Sequence, residues 1–100
     1  VNKVIIATTP KPWIDLIGVL QHNAVNSWLR QELPEDWDRE IILYGQDHGT
    51  PTACKRYSIT NVPGIVTTTS GTPNIGAIFS DLQSRGADLY CYINADIILS

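Results

Sequence analysis

A chain of 100 residues with 43% hydrophobic and 17% charged residues, seven glycines and six prolines has the composition of one compact domain; disordered, collagenous and low-complexity chains are excluded. Seven Lys and Arg stand against ten Asp and Glu, a net charge of −3, and the cations are spread from Lys3 to Arg85, so no nucleic-acid partner is expected. Two cysteines, Cys54 and Cys91, are too few for a disulfide scaffold and fit a reducing, cytoplasmic setting, and no run reaches the roughly 18 apolar residues of a membrane span.

Val4-Ile5-Ile6-Ala7, bounded by Thr8-Thr9-Pro10, reads as a strand buried on both faces. From Asp15 to Gln31 the residues Ile17, Leu20, Ala24 and Trp28 recur at helical spacing, with Val25 and Leu29 widening the stripe, and Leu33-Pro34 stops the helix. The acidic stretch Glu35 to Asp38, with Trp37 inside it, is a connection leading to a second buried strand, Ile41 to Tyr44. Gly49-Thr50-Pro51 and Gly71-Thr72-Pro73 each mark a helix start, because Thr can cap free N–H groups and Pro is tolerated at the first helical position. The first of these opens a short helix covering about Thr52 to Tyr57. The second opens a helix carrying Ile75, Ile78, Phe79 and Leu82 on one stripe and ending at Gly86. Ile65 to Thr68 reads as a third, weaker strand and Leu89 to Leu99 as a fourth, the longest apolar run in the chain.

The order βαβαβαβ, with strands buried on both faces, predicts an α/β domain over residues 1–100: a three-layer sandwich around a mostly parallel sheet joined by right-handed crossovers. Ligands in such sheets collect beyond the carboxyl ends of the strands, here Thr8 to Lys11, Gln46 to Thr50, Thr68 to Thr72 and Asn94 to Asp96. There is no G-x-G-x-x-G, P-loop, C-x-x-C or H-E-x-x-H motif, and neither His22 nor His48 has a partner at metal-ligand spacing. Asn94 and Asp96, two apart on an extended strand, would present an amide oxygen and a carboxylate to one side, a donor pair suited to Mg²⁺ or Mn²⁺ shared with phosphates. Capping of a turn is the competing role for Asp96.

Strand one ending in Ala7-Thr8-Thr9-Pro10, the segment Gln21 to Trp28, the strand Ile41 to Gly45 and Tyr92 to Leu99 together resemble the N-terminal half of a GT-A fold glycosyltransferase, with Asn94-Ala95-Asp96 standing where that family carries its D-x-D motif. Asn94 replaces the first Asp of the motif. The resemblance implies a Rossmann-like half-domain with strand order 3-2-1-4 that binds a nucleotide sugar. Thr8 and Thr9 would line the nucleotide pocket, Asp47 would approach the base, Asn94 would lie near the ribose or phosphate, and Asp96 would hold a Mn²⁺ or Mg²⁺ ion acting as a Lewis acid on the leaving diphosphate. Turn chemistry before Pro10 is the competing role for both threonines, and a solvated loop acid that for Asp47.

The family's acceptor-binding elements and catalytic base lie after the metal motif, so a partial domain is expected, one that binds donor without transferring sugar alone. Two other readings compete. The fourth strand, an apolar edge, would need cover from a missing C-terminal half or from a second copy, which suggests a non-catalytic interaction module forming a homodimer. A nucleotidyltransferase is disfavoured by the absence of a Gly-rich basic loop between Thr8 and Trp13. Trp28 is expected in the core, Trp37 over the base of the sheet and Trp13 close to the pocket.

Overall fold

The computed structural model describes residues 2–46, 49–64 and 74–99. Its elements run β1 (Asn2–Thr8), α1 (Asp15–Leu29), β2 (Trp37–Tyr44), α2 (Thr50–Tyr57), β3 (Thr60–Val62), α3 (Ile75–Ser84) and β4 (Leu89–Tyr92). All four strands are parallel, in the order β3-β2-β1-β4. The expected α/β class and alternating order are therefore present, and the sheet is wholly parallel.

Parity along the two central strands explains the layers. Ile6, Ile41 and Leu43 meet Ala24, Val25 and Trp28 of α1 and Cys54 of α2 on one face. Ile5, Ala7, Ile42 and Tyr44 meet Ile78 and Leu82 of α3 on the other. Each large apolar side chain fully withdrawn from water contributes about 1.5–3 kcal/mol, so strands apolar on both faces are held in the middle of the sandwich. Trp28 is completely buried, as its place on the stripe predicts.

Three expectations are corrected, and one falls outside the described residues. Trp37 begins β2, opposite Asn2, rather than lying in the preceding connection. The third strand of the described chain is Thr60–Val62, while Ile65 to Thr68 and Gly71-Thr72-Pro73 lie outside the described residues. At the start of α2 the capping position belongs to Gly49, whose φ of +88° is the left-handed region that favours glycine; Thr50 is already helical. The fourth strand is four residues long, not eleven. β4 pairs with Val4 to Ala7, and its last bond, Ile93 N–H to the Ala7 carbonyl at 3.1 Å, falls where β1 itself ends.

With no strand left to pair with, residues 97–99 fold back on α1. Trp28 Nε1–H donates to the Ile97 carbonyl at 2.8 Å, Gln31 Nε2 to the Leu99 carbonyl at 3.0 Å, and Leu99 N–H to Ser27 Oγ at 3.0 Å. The expected start signal of α3, Gly71-Thr72-Pro73, lies outside the described residues, and the helix begins after Asn74. Asn74 Oδ1 accepts from Ala77 N–H to cap α3, and Gly86 follows its last turn at φ +69°.

Candidate functional site

From β1 the chain winds through α1 to β2 and on through α2 to β3, then returns through α3 to the far side of β1. Winding direction reverses between β1 and β4, and the helix layer switches with it, since α1 and α2 cover one face and α3 the other. Adjacent strands whose connections leave in opposite directions separate at their carboxyl ends, which is where α/β sheets place ligands. A crevice of about 210 Å³ opens at that point. Thr9 and Lys11 come to it from the loop after β1, Ile17, Leu20 and Gln21 from α1, and Asn94, Ala95 and Asp96 from the turn after β4.

The loop after β1 is held from several sides. Gln21, buried on α1, accepts from Lys11 N–H at 2.7 Å and donates through Nε2 to the Lys11 carbonyl at 2.9 Å. Trp13 Nε1–H donates to Thr50 Oγ1 at 3.0 Å. The Trp13 ring meets the His22 ring edge-on, with centroids 4.8 Å apart, and His22 Nδ1 lies 2.6 Å from the Tyr57 hydroxyl. Burial, reinforced by the Arg56 cation, lowers the His22 pKa from the ordinary imidazole value.

The residues singled out in the sequence fare differently. Thr9 lines the crevice, and its hydroxyl shares a 2.6 Å hydrogen bond with the Tyr92 hydroxyl, tying the end of β1 to the end of β4. Thr8 is 1% exposed as the last residue of β1 and takes no part in the crevice lining. Asp47 and His48 lie outside the described residues. Asn94 and Asp96 both line the crevice and both are exposed, but strand parity is not what brings them there: the chain turns at Ala95 and Asp96, closed by Ile97 N–H to the Asn94 carbonyl at 3.2 Å. Trp13 lies against the helices behind the loop.

Lys11, given no individual role above, is a basic residue lining the same crevice as Asp96. Its only signal there is its place between Pro10 and Pro12, just past the carboxyl end of a buried strand. Cys54 is buried and its thiol is pushed up to about 11 by desolvation, which suits a packing residue and not a nucleophile. Among the described residues no three His, Cys, Asp or Glu side chains gather into a metal centre. Among the described residues Asp96 is the one carboxylate lining the crevice, and with the Asn94 amide it offers two oxygen donors. Oxygen donors of this kind are of the type that Mg²⁺ or Mn²⁺ accepts, and two of them would leave most of such an ion's positions to other ligands.

No protein-family model, curated protein or solved structure matches this chain. Among the described residues no helix is long and apolar enough to cross a membrane.

Proposed function

We propose that the crevice between β1 and β4 binds the diphosphate of a nucleotide sugar together with a divalent cation, as the resemblance to the donor half of a GT-A fold glycosyltransferase implies. The observation that carries this reading is the convergence of Lys11, Asn94 and Asp96 on the switch point of a 3-2-1-4 parallel sheet. Lys11 would offset phosphate charge, and Asp96 with Asn94 would take two positions on a Mn²⁺ or Mg²⁺ ion. The crevice is smaller than the roughly 300–1,000 Å³ of most ligand pockets, so it would enclose the diphosphate while base and sugar lie across its rim. Calorimetric titration with ADP, GDP, CDP and UDP, in Mn²⁺ and in EDTA, tests it. Binding of at least one, stronger with Mn²⁺, is expected, and Asp96→Asn should remove the metal dependence while the protein stays folded. No heat from any of the four in Mn²⁺ refutes the reading.

A second reading, a non-catalytic interaction module, gains from the first half of α1. Leu16 (69% exposed), Val19 and Leu20 face water there, and a helix apolar on all sides is ordinarily covered. The expected cover is a second copy, because exposed Lys11 and Asp15 beside this face let a two-fold arrangement pair opposite charges. Sedimentation of an 11.1 kDa monomer at high concentration would argue against it.

A further inference from the structure

We propose that Trp13 is a positioning residue that locks the Lys11-bearing loop to the start of α2, so that Lys11 cannot shift without α2 responding; its effect on binding rests on the nucleotide-sugar reading, the lock itself does not.

Four contacts converge on Trp13. Its indole N–H is the hydrogen-bond partner of Thr50 Oγ1, and Thr50 is fully buried, so that hydroxyl has no water to turn to. A Cβ on Gly18 would lie 2.9 Å from the Trp13 carbonyl carbon, and one on Gly49 2.7 Å from Trp13 Cβ. α1 and the cap of α2 therefore close on the same residue from two sides, each at a position without a side chain. The His22 ring, itself bonded to Tyr57 of α2, lies against the indole. Two residues earlier, Gln21 grips both backbone groups of Lys11. The segment from Lys11 to Trp13 is thus fixed at both ends, once to α1 and once to α2. The directed N–H bond fixes the indole's orientation, and the two glycines let α1 and the cap of α2 approach it more closely than residues with a Cβ would allow.

Thr50→Val keeps the shape of Thr50 and removes the acceptor, whereas Thr50→Ser keeps the hydroxyl. Amide hydrogen exchange followed by NMR should show Thr50→Val raising exchange at the Lys11 N–H about tenfold, the effect of one lost hydrogen bond, with the β1–β2 ladder unchanged. Thr50→Ser should restore the wild-type pattern. With UDP and MnCl₂ as the probe, affinity should fall by a similar factor in Thr50→Val and recover in Thr50→Ser. Faster exchange confined to α2, or failure of Thr50→Ser to restore the pattern, overturns the lock. If the exchange pattern appears but wild type binds no UDP, the lock stands and UDP recognition is what fails. Should Thr50→Val not fold, Trp13→Phe, which keeps a ring and loses the N–H, is read in the same way.

Discussion

Gln21 and Lys11 exchange a pair of hydrogen bonds, the side-chain amide of one reading both backbone groups of the other at 2.7 and 2.9 Å. A buried amide used in this way mimics one rung of a sheet and fixes a loop that has no strand beside it. Gln21→Ala would leave those backbone groups without partners at a cost of about 1–3 kcal/mol. Gln21→Glu would set a carboxylate oxygen against the Lys11 carbonyl and should do no better. Both are expected to lower the urea midpoint with an unchanged m-value; a midpoint equal to wild type for Gln21→Ala would show that water replaces the clamp without loss.

Gly18→Ala tests the close approach of α1 to the Trp13 backbone. In an open helix this change gains up to about 1 kcal/mol. Here the new methyl would stand 2.9 Å from the carbonyl carbon and 3.1 Å from the carbonyl oxygen of Trp13. Backbone yields less readily than a side-chain tip, and overpacking of this kind costs about 1–3 kcal/mol. Thermal denaturation should therefore show a lower Tm, and a rise would mean that the loop relaxes freely.

On the α3 face, the Tyr44 hydroxyl donates to Asp81 Oδ2 at 2.6 Å, and Arg85 Nε meets the same oxygen at 2.9 Å. The Tyr44 bond, with help from Arg85, holds the Asp81 carboxyl below the usual carboxylate range, although desolvation opposes it. A carboxyl depressed on folding stabilises fully above that range and loses its contribution as pH falls through the range and below it. Tyr44→Phe removes the main cause. Stability measured from pH 6 down to pH 2.5 should fall less steeply in that variant than in wild type; parallel curves would contradict the linkage.

His22 gives a second pH signature in a different window. Burial and Arg56 favour the neutral ring in the folded state, so the unfolded chain binds the proton more readily. Stability from this source is complete above the ordinary imidazole value and declines as pH falls through it toward the lower folded value. Replacing the ring by His22→Asn should flatten the difference in urea midpoint between pH 7.5 and pH 5.5. An unchanged difference would assign it to other groups.

The central layer was legible because Val4 to Ala7 and Ile41 to Tyr44 are short runs, apolar at every position, rich in β-branched residues and followed by turn residues, a combination that suits a strand covered on both faces. β3 was not, since Thr60, Asn61 and Val62 are few, mostly polar and only half-buried, with the Asn61 amide donating to the Leu43 and Gly45 carbonyls at 3.0 Å each. Ile97-Ile98-Leu99 misled in the opposite direction. Apolar content reports a drive toward contact but not the kind of contact, and here backbone bonds to a helix replace strand pairing. At the crevice, Asn94 and Asp96 were visible as polar residues in an apolar run. Lys11 was legible only as the end of the segment Thr8 to Lys11, because one lysine between prolines has no periodicity or spacing to set it apart.

The three bonds that seat residues 97–99 on α1 all end on main-chain carbonyls or an amide. Ser27, Trp28 and Gln31 therefore read the path of that segment and not its spelling. Ile97 and Ile98, both exposed, are free to drift among residue types without loosening the attachment, whereas proline at 99 would abolish the amide that Ser27 accepts. Sequence constraint in this part of the molecule falls on the helix that receives the segment more than on the segment received.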